Sequence, residues 1–570
     1  MDDVDAVQAQ IARNMLTSGD WVTARLDGVI YLEKSPLHYW MNAAFFELLG
    51  ISDWAARIPY ALSSIALALL TTAFGIWAFG RKAGFYAGLC ISTSTGLFLF
   101  TRILIPDVML TFTIALAMWS FLRTLDPQET NPRFWAVTLA VSLGLGLLLK
   151  SLVAIVFPVF TALIYLAATH QLFVRQTCKR LHLISSTLIV LLVATPWHVL
   201  ATLRNPPYFS FSLHSGPGEY HGFLWFFFIN EQFLRFLNLR YPRDYNTVPR
   251  LYFWLFHLIW LFPWSVYLPT VFKLSFKPVD RAGQTRLLAL CWIGFLLIFF
   301  TFSTTQEYYS MPSYPAFALL LGCAMATRDK WVRVGTRVLC VLVTCCAVAG
   351  IGILLAVRHV PTPADISVAL SYNPQVYTLS LGHMEDLTLR SFAYLRLPLA
   401  LAVVAFLIGA VGNLWWKGQR AFLASAVMMV VFFHAARLAM VAFDPFLSSR
   451  PLAEVILRSP PGGLISSYPY YQFSSVWFYT NRHFLIWNGR YNNLEYGSYA
   501  PGAPDVFIDD ARMQSLWREA DRYYLLAEDG QLPRITRVLG KELNPVAHSG
   551  GKVVLTNHPL PDKATFSRPQ

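Results

Sequence analysis

The sequence predicts an all-α polytopic membrane protein with a small extramembrane α/β domain at its C-terminal end. Three observations predict it. The 570 residues are 55% hydrophobic and only 14% charged, whereas a soluble domain carries about 25% charged residues. Apolar runs close to the length of a bilayer-crossing helix recur through residues 1–443. After residue 443 the character changes, as Pro, Gly, Asp and Asn return and the apolar runs shorten.

Twelve apolar runs can be read, at 57–79, 84–100, 108–124, 134–150, 151–168, 182–202, 251–273, 286–304, 311–326, 336–357, 396–414 and 421–443. Each is expected to be helical, because backbone in lipid must satisfy its own hydrogen bonds. Alternate connections collect the basic residues: Arg81 and Lys82, Arg123 and Arg133, Arg175 to Arg180, Lys273 to Arg286, Arg328 to Arg337, and Lys417 with Arg420. The positive-inside rule makes these cytoplasmic and places 1–56, 102–107, Lys150, 203–250, Glu307, 358–392 and the tail on the outer side. The run from His221 to Leu239 is aromatic throughout and broken by Asn230, Glu231 and Arg235, which suits a helix lying at the interface. In the tail, strands are expected at 463–467, 484–487, 506–508, 523–526 and 553–555, with a helix over 511–520. The division is therefore 1–443 for the membrane domain, including the external loops 1–56 and 203–250, and 444–570 for the α/β domain.

Several function classes are disfavoured. The net charge of +13 is accounted for by cytoplasmic loops, and no basic face suggests nucleic acid. The seven cysteines show no CxxC spacing, so neither a disulfide framework nor a zinc site is indicated. The sequence shows no P-loop, no Gly-rich dinucleotide turn and no nucleophile elbow. A site on the outer side has no direct access to cytoplasmic nucleotide sugars or ATP, so its donor must be lipid-linked. For 1–56 to lie outside, either it is translocated with the first span or a first transmembrane helix stands upstream, and we expect the second.

The most polar stretch of the membrane part is its first forty residues, in which a helix is expected over 6–16. Asp2, Asp3 and Asp5 open the stretch, and Asp107 starts an apolar run on the same side. Carboxylates meeting at a membrane-surface cavity can position an acceptor and take its proton. Alternatively, Asp2, Asp3 and Asp5 form a solvated terminus, and Asp107 caps its helix after Pro106 with Arg102 as its partner. Lys34 is a candidate for a donor phosphate, with Arg102 and Lys150 as further cations, or these are snorkelling side chains. Glu33 is a candidate ligand for a divalent cation or orients Lys34. Glu307, Tyr308, Tyr309 and Arg243 break or flank apolar runs where a polar cavity can form, or make an ordinary loop and rim.

Several of these segments together resemble a known family. Asp2 to Leu16, Ser18-Gly19-Asp20-Trp21, and Tyr31-Leu32-Glu33-Lys34-Ser35-Pro36 are similar to the first external loop of bacterial aminoarabinose transferases. These are relatives of the protein O-mannosyltransferases in the GT-C class of polyprenyl-phosphate-dependent glycosyltransferases. Arg102 to Asp107, Gly144 to Lys150, and Phe300 to Pro315 resemble later motifs of that family in the same order. The resemblance implies thirteen transmembrane helices, a periplasmic C-terminal domain and a place in the bacterial inner membrane. It also implies inverting transfer of a sugar from undecaprenyl phosphate to a lipid-linked, glycan or protein acceptor. Position by position, the first-loop aspartate falls on Asp2 or Asp3, the second on Asp107, the phosphate lysine on Lys34, and a metal-associated glutamate on Glu33. Lys150-Ser151-Leu152 stands where Lys-Gly-Pro is common, and the acidic opening is about two residues longer than usual. These departures point to a cousin of the aminoarabinose transferases. The rival reading is a transporter or flippase for lipid-linked glycans, which needs the cations but not the paired aspartates.

Overall fold

The structure is a computed structural model, and it describes residues 1–243, 247–327, 329–371, 379–541 and 543–560. Arg328, expected in a cytoplasmic loop, lies outside the described residues. Eight helices among those described are long and apolar enough to cross a membrane: Asp53–Phe79, Asp107–Leu125, Pro132–Lys150, Arg175–Arg204, Arg281–Phe302, Lys330–Val357, Arg396–Trp415 and Gln419–Ala442. They match eight of the twelve expected runs and make this a multi-pass membrane protein.

The other four runs are built differently, for local reasons. The run 84–100 is split into Arg81–Ser92 and Thr95–Phe100. The Thr93 hydroxyl donates back to the Leu89 carbonyl at 2.6 Å and the Ser94 hydroxyl to that of Ile91 at 3.1 Å, competing with the helical ladder. The run 251–273 is split at Phe262-Pro263 into Arg250–Trp260 and Trp264–Val271, bent by 96°. The two breaks meet. The Thr95 amide donates to the Phe262 carbonyl at 3.1 Å, and the Trp264 indole to the Thr93 hydroxyl at 3.0 Å. Each interruption thus satisfies polar groups that the other frees, as apolar surroundings require. The run 311–326 begins as a 3₁₀ segment, Glu307–Ser313, containing Pro312, before Tyr314–Met325. Val153–Ala168 is helical but short, after Ser151 turns the chain at φ +58°.

The N-terminal helix runs Asp3–Ser18, three residues earlier than expected. Asp2 sets its start by accepting from the Asp5 amide at 2.8 Å, and Gly19 ends it at φ +70°. A short hairpin follows, β1 (Arg25–Leu26) and β2 (Val29–Ile30), and then the helix Leu37–Leu49, which the apolar runs do not include. The expected interfacial helix at 221–239 is present as a short α-turn at Gly222–Leu224 continuing into a widened π-helical stretch, Trp225–Leu234.

The C-terminal part holds a six-stranded sheet of β3 (Gly463–Ser467), β4 (Phe484–Trp487), β5 (Phe507–Ile508), β6 (Tyr523–Glu528), β7 (Asn544–Ser549) and β8 (Lys552–Thr556). Its order is β5-β4-β3-β6-β8-β7. β3 pairs in parallel with β4 and β6, and β8 pairs antiparallel with β6 and β7. The strand β7 is the one not read from sequence: Pro545 and a register shift between Pro545 and Ala547 break its alternation. The sheet is fastened to the N-terminal helix. Asp3 is buried there, accepting from Lys552 Nζ at 2.6 Å, the Ser449 hydroxyl at 2.9 Å and the Ser475 amide at 2.8 Å. Arg13 donates to the Phe478 carbonyl at 2.9 Å.

Candidate active site

A cavity of about 500 Å³ opens where the first loop, two helix ends, the π-helical stretch and the 3₁₀ segment converge. Its polar side carries Glu33, Lys34, Asp107, Lys150, Glu231 and Arg235, with Tyr308 and Tyr309. Its apolar side is built from Val153, Val156, Phe157, Phe228, Phe299 and Phe300. An apolar wall facing a small set of convergent charges is the composition of a site for an amphipathic ligand.

Each charge is held by its element. Lys34 follows the hairpin and precedes Leu37–Leu49; the neighbouring Ser35 hydroxyl donates to the Leu147 carbonyl at 3.1 Å, tying this turn to the helix that ends at Lys150. Asp107 opens one long helix and Lys150 closes another, and their side chains meet at 2.6 Å. The Lys150 ammonium also sits 4.6 Å from the Tyr309 ring centre. Glu231 and Arg235, one turn apart, pair at 2.7 Å, and Arg235 donates to the Tyr309 hydroxyl at 2.9 Å. Lys34 Nζ lies 2.6 Å from Glu33, whose other oxygen accepts from the Tyr31 hydroxyl at 3.0 Å. Arg240, buried behind the cavity wall, pairs with Glu231.

The electrostatics follow from these contacts. Burial opposes ionisation of Glu33, but Lys34, Arg240 and Arg235 outweigh it and hold its carboxyl down at about 2. Burial also pulls against the Lys34 ammonium, yet Glu33 beside it keeps it above its ordinary value. Both groups are therefore charged throughout the physiological range.

The sequence-predicted residues divide into those the structure brings together and those it does not. Glu33, Lys34, Asp107, Lys150, Tyr308 and Tyr309 share the cavity. Asp2 and Asp3 are not among its lining residues. Asp2 caps the first helix, and Asp3 faces the C-terminal sheet. Asp5 is the first-loop carboxylate that reaches the segment leading to Asp107: it accepts from the Leu104 amide at 2.7 Å and pairs with Arg57 at 2.7 Å. Arg102 does not pair with Asp107, as Lys150 takes that place; its guanidinium lies over the Phe98 ring at 4.6 Å. Glu307 is buried beside the cavity but not on its wall, accepting from the Ser380 amide at 3.1 Å. Arg243 is exposed and away from the cavity, and Asp244 and Tyr245 after it lie outside the described residues. Glu231 and Arg235 were legible only as the polar interruption of an aromatic run.

A divalent ion at Glu33 finds little support in the donor set. The Glu33 carboxylate is already held by Lys34 and Tyr31, and no group of three or more His, Cys, Asp or Glu side chains suited to a metal occurs among the described residues.

Asp5 gives a test that depends on placement alone. Burial, with the charge of Asp2 adding to it, pushes its carboxyl up to about 7 against the pull of Arg57. A carboxyl raised on folding stabilises the protein fully below the ordinary value of 3.8, and that contribution is lost as pH rises through about 7. The thermal midpoint of the detergent-solubilised protein is thus expected to fall between pH 5 and pH 8, and Asp5→Asn to flatten the fall. An unchanged pH slope in the variant would refute this placement.

Known proteins resemble this chain in sequence and in fold. Residues 33–199 match the family model described as dolichyl-phosphate-mannose-protein mannosyltransferase. An undecaprenyl phosphate-alpha-4-amino-4-deoxy-L-arabinose arabinosyl transferase of Pectobacterium carotovorum is 26% identical over 370 residues, 63% of this chain and 62% of that protein. The corresponding protein of Aeromonas salmonicida is 27% identical over 321 residues, 55% of this chain and 54% of the relative. The matched part thus spans less than two thirds of either relative. The crystal structure of ArnT from Cupriavidus metallidurans bound to undecaprenyl phosphate superposes with a TM-score of 0.78 at 20% identity, covering 100% of this chain and 95% of that one. The chain is thus similar in fold, along its whole length, to that ArnT structure, and residues 33–199 are similar in sequence to the dolichyl-phosphate-mannose-protein mannosyltransferase family, in line with the resemblance its motifs carry.

Proposed function

We propose that the chain is a membrane glycosyltransferase that moves a sugar from a polyprenyl-phosphate donor to a lipid, glycan or protein acceptor. The observation that carries this is the cavity in which Lys34, Arg235 and Lys150 face an aromatic, lipid-compatible wall beside Asp107. A polyprenyl phosphate needs both halves. Its isoprenoid chain lies against Phe157, Phe299 and Phe300, and its phosphate meets cations already fixed by Glu33 and Glu231.

In the proposed step, an acceptor oxygen attacks the anomeric carbon from the face opposite the phosphate. The bond from that carbon to the phosphate oxygen breaks with its electron pair going to the phosphate, and the configuration inverts. Charge therefore grows on the leaving phosphate, where Lys34 and Arg235 stabilise it. Asp107, with Asp5 reaching the same loop, positions the acceptor. If the acceptor is a hydroxyl, a carboxylate takes its proton; if it is a phosphate, little base strength is needed.

We also place the cavity and the C-terminal domain on the periplasmic side of a bacterial inner membrane, with 1–443 as the catalytic membrane domain and 444–570 as the appended domain. In support, the basic loops lie at the helix ends opposite Asp107 and Lys150. The helix Asp53–Phe79, for example, runs from the first-loop side to Arg81 and Lys82.

The test is incubation of membranes containing the full chain with polyprenyl-phosphate-linked sugars and envelope acceptors. Release of free polyprenyl phosphate with the sugar on an acceptor is the expected result. Movement of intact lipid-linked sugar across the membrane, without cleavage, would establish the transporter reading instead.

A further inference from the structure

The short helix Asn492–Ser498 belongs to the C-terminal part, yet it ends up against the back of the cavity. It is clamped there at several points. Glu495 accepts from the Tyr241 hydroxyl at 2.6 Å, and the Tyr496 hydroxyl accepts from the His221 amide at 2.9 Å. Gly497 lies so close to β2 that a Cβ would stand 1.9 Å from the Ile30 carbonyl oxygen. These contacts explain how the helix is held. They do not explain Asn493.

Asn493 bridges two groups that lie behind the cavity wall. Arg240 donates to its Oδ1 at 2.7 Å, and its Nδ2 donates to the Tyr31 hydroxyl at 3.1 Å. A guanidinium has no acceptor, so the amide oxygen must face Arg240 and the amide nitrogen must face Tyr31. Receiving that bond, the Tyr31 hydroxyl directs its own proton to Glu33 at 3.0 Å. At the other end Arg240 pairs with Glu231. The two carboxylates so held are those that set the cavity cations: Glu33 lies 2.6 Å from Lys34 and Glu231 lies 2.7 Å from Arg235. From Arg240 to Glu33 the donors run in one sense, with Asn493 accepting on one edge and donating on the other, as the Tyr31 hydroxyl does after it.

We propose that Asn493 is a positioning residue of the phosphate subsite, through which the C-terminal domain orients Lys34 and Arg235. This rests on the polyprenyl-phosphate reading above. Asn493→Asp keeps the shape and loses the donor. The Tyr31 hydroxyl must then choose between the introduced carboxylate and Glu33, and Arg240 is drawn toward a second carboxylate. Asn493→Ala removes both bonds.

The experiment measures binding of undecaprenyl phosphate alone to the detergent-purified full chain, with thermal midpoints recorded in parallel. Asn493→Asp and Asn493→Ala are expected to weaken binding about tenfold, the scale of one lost hydrogen bond to a charged group. Glu495→Gln loosens the same helix while leaving the relay intact, so it should shift the thermal midpoint but keep binding within about twofold of wild type. Adding Tyr31→Phe to Asn493→Ala should cost little more than either change alone, as members of one network do. Wild-type binding in Asn493→Ala, or equal weakening by Glu495→Gln, would overturn the inference and leave the functional reading standing. A wild-type chain that fails to bind the lipid phosphate would overturn both.

Discussion

Lys34→Ala is expected to lower kcat/KM for the lipid-linked sugar by about 10²- to 10³-fold, the range seen when one positioned donor to a developing anion is removed. Lys34 points its ammonium into the cavity from 2.6 Å beside Glu33, and its removal leaves Glu33 facing Arg235 at 4.0 Å. The phosphate then meets a carboxylate with less opposing charge, so affinity for undecaprenyl phosphate should fall together with turnover. Lys34→Arg should not restore function, because a planar fork cannot occupy the place of a compact ammonium. Asp107→Asn should behave differently. It releases Lys150 from its 2.6 Å partner without removing a cation, so lipid-phosphate binding should persist while transfer falls by a similar factor. Binding assays and single-turnover transfer separate the two effects. Unchanged transfer in the Lys34→Ala, Asp107→Asn double variant would refute the roles assigned to both.

Much of this site was legible in the sequence because charge is expensive next to a bilayer. Asp107 and Lys150 stood out as ionisable groups at the edges of apolar runs and Glu33 and Lys34 as a charged pair in the external first loop, and all four line the cavity. Glu231 and Arg235 gave a weaker signal, a polar interruption that suits an interfacial helix equally well. The first-loop aspartate is expected from the motif at Asp2 or Asp3, and spacing does not point to Asp5, the one that reaches the segment before Asp107. A shift of one residue on a helix turns a side chain by about 100°, and the turn is set by the cap that Asp2 makes with the Asp5 amide. The four irregular apolar runs were hidden for a related reason. Hydropathy counts residues, whereas the breaks at Thr93-Ser94 and Phe262-Pro263 persist because they satisfy each other across the fold. The relay through Asn493 joins positions 31, 240 and 493, far apart in the chain, and no local pattern shows that they meet.

Asp3→Ala should destabilise the attachment of the C-terminal sheet by about 3–5 kcal/mol, the cost of stranding one partner of a buried ion pair. Lys552 and Asp3 are both nearly shielded from solvent, with side-chain exposures of 7% and 4%, and meet at 2.6 Å. Without Asp3 the ammonium keeps the Ser449 hydroxyl at 3.3 Å but loses its carboxylate at 2.6 Å, and the Ser475 amide loses its acceptor. Replacing both charges, as Asp3→Leu with Lys552→Met, removes the stranded charge and should recover most of the loss, though not the part owed to Ser475. Because the pair is buried, added salt should change little. Thermal melting and limited proteolysis of the 444–570 segment in detergent provide the readout. The same variants test what Asp3 does. A docking role predicts that undecaprenyl-phosphate binding per folded molecule survives Asp3→Asn at a temperature where the sheet stays attached. A loss of transfer with no loss of stability would return Asp3 to the reaction and count against Asp5 as the first-loop carboxylate of the site.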